Sequence, residues 1–347
     1  MTTILERLGR CGIRRLGRPG RFRYRHPNGR PVSAADRERI EALRIPPAWR
    51  DVAVHPSPSG LVQAIGRDAA GRWQYRYHER QVGRRERAKL ARLVRFLSAM
   101  PRLREAVRRD LARPGLPRER VMAGAVRILA TCFLRPGSEV YASENGSYGI
   151  TTLRPRHVRV KGGVITFDFI GKSGRRHVRE VRDPRVARLV RELLRHPGEV
   201  FKFEEAAADG GTPRLRDVKS HHVNAYLRER MGGSFTAKDF RTWAGTILAA
   251  SRLAHTAEEA RRSPAARRRA VAAVMREVAE SLGNTPAVCR ASYVLPVVLR
   301  QFDAGRVVGH PLQGLDDLPA VERCERELIA LLMPAVRKIA AVTRNAA

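Results

Sequence analysis

The chain has 347 residues, of which 43% are hydrophobic, so it is long enough for one large domain or two ordinary domains, each with its own core. Its 68 lysines and arginines against 34 acidic residues give a formal charge of +34, spread along the whole length. This composition excludes a disordered chain and predicts a polyanionic partner, above all nucleic acid. The alternatives are a solvated basic surface and a surface for anionic lipid.

The cysteines exclude the usual disulfide and zinc patterns. Cys11, Cys132, Cys289 and Cys324 lie far apart, without a C-x-x-C pair or histidines at zinc spacing. We therefore expect reduced thiols and a cytoplasmic location. The sequence shows no export signal and no apolar run of about eighteen residues, so neither secretion nor a membrane span is expected.

The first part of the chain changes from irregular to β character. Residues 1–50 are rich in arginine and glycine and show one helical stretch, Ser33–Arg44, with Ser33 as its N-cap. We expect residues 1–30 to be mobile. Three β runs follow, at Asp51–His55, Leu61–Ile65 and Arg72–Tyr77. Separated by turn residues, they predict a small antiparallel sheet.

Helical spacing of apolar residues begins beyond Gly83, which places a domain boundary near residues 85–95. We therefore divide the chain into a β-rich domain, 1–90, and a larger, mainly helical domain, 91–347. A last helix is predicted from about Pro319 to Val342. Its leucines either pack on the helical domain, which is the favoured interpretation, or bind a partner.

One β insert interrupts the helical region near residues 157–181. The runs His157–Lys161, Val164–Ile170 and Arg175–Val181 are separated by turns that contain glycine. They predict a three-stranded meander with Lys172 at a hairpin tip. Helices then resume, and one of them is predicted to end at Gly283 as its C-terminal cap.

Two cofactor-dependent chemistries are excluded by the residues present. Gly171-Lys172-Ser173 resembles the end of a phosphate-binding loop, but Thr166 stands where the first glycine is required and a basic strand follows. Close carboxylate pairs of the kind that hold magnesium are also missing. We therefore expect no nucleotide cofactor and no metal, and any catalysis should depend on fixed cations.

The sequence supplies such cations and a nucleophile, far apart along the chain. Arg135 follows an apolar helical run, Lys172 lies on the hairpin, and Arg241 lies in Lys238-Asp-Phe-Arg-Thr-Trp243. Near the C-terminus, a helix stop places Asn284 nine residues before Tyr293. Each residue alone is weak evidence, since a single tyrosine is usually a packed or surface residue.

Taken in order, these segments resemble the type IB DNA topoisomerases of the poxvirus and bacterial kind. The resemblance runs from about Ile45 to about Pro296. Its motifs are Ile45-Pro-Pro-Ala-Trp49, Gly66-Arg-Asp68, Gln74-Tyr-Arg-Tyr-His78, Glu144-Asn-Gly-Ser-Tyr-Gly149, Thr151-Thr-Leu-Arg154, Lys238-Asp-Phe-Arg-Thr-Trp243 and Leu282-Gly-Asn-Thr-Pro286. Such long, ordered matches are far more specific than any single short motif.

The resemblance implies a fold, an activity and a catalytic set. The fold is α+β, with a small antiparallel N-terminal domain and a larger helical catalytic domain that tyrosine recombinases share. The activity is relaxation of supercoiled duplex DNA through a transient 3′-phosphotyrosine, without ATP or metal, by a monomer that clamps the duplex. The implied catalytic residues are Arg135, Lys172, Arg241, Asn284 and Tyr293.

In this scheme Tyr293 attacks the phosphorus, Arg135 and Arg241 hold its oxygens, and Asn284 adds a neutral hydrogen bond. Lys172 gives a proton to the leaving 5′-oxygen. The resemblance also implies contacts with DNA by Gln74, Tyr75, Tyr77, Tyr141 and Tyr226.

The sequence departs from the family at four positions, which are Gln81, Pro136, Val140 and Ser143. Pro136 removes a backbone donor beside Arg135 and fixes the local geometry, which puts the position of that guanidinium in doubt. Two alternatives stay open. A tyrosine recombinase usually carries histidine where Lys238 stands, and a non-catalytic DNA clamp would bind duplex without forming a covalent adduct.

Overall fold

The computed structural model describes residues 3–207, 212–314 and 317–344. It divides into two compact units, one ending at Ala88 and the other beginning at Lys89. Within the described ranges, no helix has the length and apolar character needed to cross a membrane.

The first unit is built on a five-stranded antiparallel sheet in the order β2-β1-β3-β4-β5. Its elements are α1 (Ile4–Cys11), β1 (Ile13–Leu16), β2 (Arg23–Arg25), α2 (Ala34–Ala42), β3 (Arg50–Val54), β4 (Val62–Arg67) and β5 (Trp73–Tyr77). The three predicted strands and the Ser33-capped helix are confirmed, the latter by a hydrogen bond from Asp36 N to Ser33 Oγ.

Successive side chains of each strand point to opposite faces of the sheet, and each face carries a small apolar core. Ile40 of α2 packs with Val52 and Val54 on one face. Leu8 of α1 packs with Ala53 and Ile65 on the other. Both faces of the sheet are therefore covered by a helix.

Residues 1–30, expected to be mobile, contain regular secondary structure in the part that the structure describes. Thr3 and Glu6 form a capping box that starts α1, and β1 pairs with both β2 and β3. Leu8 and Ile13 are fully buried. The few apolar residues among the arginines are those that the sheet buries, and such a sparse pattern has no clear periodicity.

Helices form most of the second unit. Helix α3 (Glu79–Asp110) contains the boundary between the units. The helices that follow are α4 (Arg118–Cys132), α5 (Glu139–Asn145), α6 (Pro184–Leu193), α7 (Ser220–Met231), α8 (Ala237–His255), α9 (Ala257–Arg261), α10 (Pro264–Leu282), α11 (Pro286–Val288), α12 (Pro296–Asp303) and α13 (Leu318–Arg344). Helices α4 and α8 are buried along most of their length and form the centre of one large apolar core.

The predicted meander is present as β6 (Val158–Lys161), β7 (Val164–Ile170) and β8 (Arg176–Arg182), paired antiparallel in that order. Lys172 begins a short 3₁₀ turn between β7 and β8, as expected for the hairpin tip. A two-stranded ribbon, β9 (Lys202–Glu205) and β10 (Arg214–Asp217), was not predicted.

The C-terminal helix packs on the second unit, which confirms the favoured interpretation. Leu328 and Leu332 are fully buried. Glu325 accepts two hydrogen bonds from Arg104, at 2.7 and 2.8 Å, and one from Trp243 Nε1 at 2.8 Å. Helix α13 is thereby attached to α3 and to the central helix α8.

Candidate active site

Arg135 lies in the segment that leaves the central helix α4. That helix ends at Phe133, whose φ of 55° is left-handed and turns the chain away from the helix axis. The Arg135 guanidinium then donates to Asn284 Oδ1 at 2.7 Å. Pro136, which fixes the local backbone and lacks a donor, directly follows this arginine. The backbone hydrogen bonds of this segment need only its carbonyl oxygens as acceptors. Ile150 N donates to Arg135 O, and Thr151 N donates to Pro136 O.

Arg241 is the second arginine of the site and the more deeply buried, with 3% exposure. It projects from α8 and donates to Phe133 O, at the end of α4, and to Leu282 O, at the end of α10. These carbonyls have no partner within their own helices. Arg241 therefore joins two helix ends around the site and is itself held in place by both.

Asn284 and Tyr293 follow the end of α10. Gly283 is the predicted cap, with φ 60°. Tyr293 ends a π-helical turn, Cys289–Tyr293, a feature often found at functional sites. Its ring centroid lies 4.9 Å from the guanidinium carbon of Arg241. Gly245 of α8 permits this approach, because a Cβ there would lie 2.9 Å from Tyr293 Cβ.

Two donors at the centre of the cluster have no acceptor. Among the described residues, the buried Arg241 Nε and Asn284 Nδ2 lack a hydrogen-bond partner. A buried donor without an acceptor costs about 1–3 kcal/mol, so such groups point to a ligand that satisfies them. Both lie beside cationic groups, and an anionic oxygen is therefore the acceptor that fits.

The charges around Tyr293 favour its phenolate. Burial raises the pKa of Tyr293, but a hydrogen bond with Arg241 and the charges of Arg241, Arg135 and Lys238 outweigh it, so the net pKa is lowered. Burial and the neighbouring Arg241 likewise lower the pKa of Arg135. A nucleophile with a lowered pKa, in a pocket of fixed positive charge, suits attack on a phosphodiester.

Lys172 stands apart from the other four residues of the predicted set. It is exposed at the hairpin tip, and within the described ranges no hydrogen bond or ion pair involves its ammonium group. The hairpin itself is attached to the site, because Arg175 donates to Asn284 O at 2.8 Å. Sequence reasoning missed Arg175, and it also missed His177. The available signal was that both lie on the same face of the hairpin strand.

The predicted DNA-contact residues lie in different surroundings. In the first unit, Gln74 donates to Asp68 at 2.9 Å, Tyr75 packs beside the α1 core, and Tyr77 lies under the Arg85 guanidinium. All three are partly exposed. In the second unit, Tyr141 on α5 is 61% exposed. These four residues remain candidates for DNA contact.

Tyr226 is the exception, and its assignment to DNA contact is wrong for this structure. The side chain is fully buried. Its hydroxyl donates to Asp110 Oδ2 at 2.9 Å, and Arg230 donates to the same oxygen at 3.0 Å. Burial, with Asp110 beside it, raises the pKa of Tyr226. Tyr226 is therefore a core residue, held in place by its hydrogen bond to Asp110.

We expect Tyr226→Phe to lower the free energy of unfolding by about 1–2 kcal/mol, because buried Asp110 loses one of its donors. Duplex affinity should not change. Urea unfolding and a DNA-binding titration measure the two effects. Tyr141→Phe, at an exposed tyrosine, is the control and should leave stability unchanged. Loss of affinity at full stability in Tyr226→Phe would restore the DNA-contact role.

A tyrosine beside two arginines, one of which binds an asparagine, suits an enzyme that acts on a phosphodiester, because donors are left for an anionic oxygen. The comparisons with known proteins agree. Residues 78–301 match the family model of the eukaryotic DNA topoisomerase I catalytic core, and residues 21–68 match the bacterial DNA topoisomerase IB N-terminal domain.

Individual relatives point the same way. The chain is 36% identical over 283 residues to DNA topoisomerase 1B of Acanthamoeba polyphaga mimivirus, which covers 80% of this chain and 83% of the relative. It is 23% identical to DNA topoisomerase 1B of Vaccinia virus (strain Copenhagen) over 76% of this chain and 80% of the relative. The chain belongs to the type IB DNA topoisomerase family, and it is an isomerase of DNA topology.

Proposed function

We propose that this topoisomerase cuts one strand of duplex DNA by attack of Tyr293 on a backbone phosphorus. The bond from phosphorus to the 5′-oxygen breaks as the bond to the tyrosine oxygen forms. The products are a 3′-phosphotyrosine and a free 5′-hydroxyl. The cut strand turns about the intact one, and the hydroxyl then attacks the phosphotyrosine to restore the strand. One bond replaces another at each step, so no ATP is needed.

The observation that carries the proposal is the pair of unsatisfied donors, Arg241 Nε and Asn284 Nδ2, beside the tyrosine. Negative charge on the non-bridging oxygens grows as the phosphorus becomes five-coordinate. Donors fixed in advance for that charge are the most effective form of electrostatic catalysis. The Arg135 guanidinium, already on Asn284, completes a cationic pocket for the same oxygens.

Lys172 has a different role in the proposal. Its exposed position on a narrow turn lets it reach a 5′-oxygen on bound DNA without contacting the pocket beforehand. It would give its proton to that oxygen in cleavage and take it back in religation. Since all five groups come from one chain, the proposal needs only a monomer. The charge of +34 supports duplex DNA as the partner.

The test is to trap and map the adduct. Wild-type protein is incubated in EDTA, without ATP, with duplex labelled at the 3′ or the 5′ end of the cut strand. The reaction is stopped with detergent, and the modified peptide is sequenced. We expect a covalent link to Tyr293 through the 3′-phosphate, together with relaxation of supercoiled plasmid. A link through a 5′-phosphate or to another residue contradicts the proposal, and tight binding without any adduct supports the clamp instead.

A further inference from the structure

The β7–β8 hairpin, which carries Lys172, is attached to the end of α10 by alternate residues just before and within β8. Arg175 donates to Asn284 O at 2.8 Å, and Arg179 donates to Ser281 O at 3.0 Å. His177 lies between them and contacts Gly283. The last carbonyls of a helix carry partial negative charge and have no partner within the helix. Arg179 therefore satisfies a carbonyl that α10 leaves open, and Arg175 binds the Asn284 carbonyl just beyond the helix.

The His177 ring fills the space between the two segments that carry active-site residues. A Cβ at Gly171 would lie 2.5 Å from His177 Cδ2, and one at Gly283 would lie within 3.1 Å of both ring nitrogens. Gly171 has an ordinary φ of −101°, so backbone conformation does not require glycine there, whereas the histidine ring does. Gly171 precedes Lys172, and Gly283 precedes Asn284. The ring thus spaces the lysine from the asparagine.

The ring is rigidly held and uncharged at neutral pH. It is 7% exposed and stacks on Phe169, with ring centroids 5.4 Å apart. Burial, together with the positive charges of Arg179, Arg135, Arg241 and Arg175, lowers the pKa of His177 to about 4. The contact between the His177 ring and the two glycines is consequently a steric one. A neutral ring also adds no further charge to a strongly cationic site.

We propose that His177 is a positioning residue that fixes Lys172 relative to the phosphate pocket, and that Arg179 assists it by holding the hairpin on α10. The inference rests on the proposed function of Lys172 as proton donor. In cleavage, the Lys172 proton passes to the 5′-oxygen as the bond from that oxygen to phosphorus breaks. A displacement of about 1 Å at a reacting group can reduce a rate by about 100-fold.

The test uses two duplexes that differ in one leaving atom. One has the natural 5′-oxygen at the cut site, and the other has sulfur in its place. A thiolate leaves without being protonated, so a defect in proton donation slows only the oxygen substrate. Lys172→Ala defines that signature. We expect His177→Ala to cleave the oxygen substrate about 100-fold more slowly than wild type and the sulfur substrate within about threefold of wild type.

Each outcome separates the inference from the function on which it rests. Slow cleavage of both substrates by His177→Ala shows a general structural role and overturns the inference, as does wild-type cleavage of both. Slow cleavage of both by Lys172→Ala shows instead that Lys172 is not the proton donor. Val178→Ala is the matched control, because Val178 is the next residue of β8, is 49% exposed and faces away.

A second variant keeps the inference testable if His177→Ala is unstable. Gly171→Ala places a methyl group against the ring and should slow the oxygen substrate selectively. In the double variant Gly171→Ala/His177→Ala the ring is gone, so the added methyl group should cause little further loss. Additive losses in this cycle would overturn the proposed contact. Urea midpoints and duplex affinities, measured on all variants, show which of them are folded.

Discussion

Tyr293→Phe is expected to abolish plasmid relaxation while duplex affinity stays within about threefold of wild type. The substitution removes the attacking oxygen, and the loss of a nucleophile reduces turnover by about 10⁴-fold or more. The phenyl ring can keep its place over Arg241, where the tyrosine ring lies 4.9 Å from the guanidinium carbon. Relaxation of supercoiled plasmid and the yield of detergent-trapped adduct measure the effect.

The control for this experiment is Tyr148→Phe. Tyr148 is the other partly buried tyrosine that packs against the apolar core of the second unit, and its hydroxyl accepts a hydrogen bond from Arg156 at 2.9 Å. Its removal should leave adduct formation intact. An adduct in Tyr293→Phe at the wild-type rate would assign the nucleophile to another residue and refute the proposed chemistry.

Local sequence patterns were sufficient for the elements with strong periodicity or turn chemistry. The meander at Val158–Arg182 and the Gly283 cap were predicted because glycines mark turns and caps directly. The helical centre was predicted from apolar spacing. Strands β1 and β2 were missed, since each offers only one or two apolar residues among arginines. Their stability comes from pairing in the sheet, which no short window displays.

For the active site, the sequence likewise indicated which residues take part but not which contacts hold them. The identities of Arg135, Arg241, Asn284 and Tyr293 were implied by the resemblance to the type IB topoisomerases, and the structure brings these four together. What holds them there depends on contacts between distant segments. Arg241 donates to Phe133 O, 108 residues away in sequence, and the His177 ring is wedged against Gly283.

Burial explains why the assignment of Tyr226 to DNA contact does not fit the structure. Tyr226 lies on α7 among mixed residues, and its sequence neighbours give no sign that Asp110, 116 residues earlier, accepts its hydroxyl. A tyrosine on a helix is equally compatible with surface and core. Only the packing of α7 against α4 and α8 decides between them.

Arg241→Ala is expected to combine two losses, one in catalysis and one in stability. Removing a fixed cation from the developing phosphorane charge should slow cleavage by about 10³-fold or more. The carbonyls of Phe133 and Leu282 also lose their donor. Leaving them buried and unpaired should lower the free energy of unfolding by about 3 kcal/mol. Single-turnover cleavage and urea unfolding measure the two losses separately.

The pH dependence of cleavage separates a direct role of Arg241 from a loss of folded protein. Arg241 lowers the pKa of Tyr293 through a hydrogen bond and its charge, against the raising effect of burial. Without it, the phenolate forms only at higher pH, so the rate profile of Arg241→Ala should shift upward in pH. Arg241→Lys keeps the charge but loses the bidentate fork, and we expect a smaller shift with a large rate loss.

Arg252→Ala is the matched control on α8, because Arg252 forms an exposed ion pair with Glu277 at 3.5 Å. It should change neither the pH profile nor the cleavage rate. An unshifted profile in Arg241→Ala would mean that Arg241 supports the fold without acting on Tyr293.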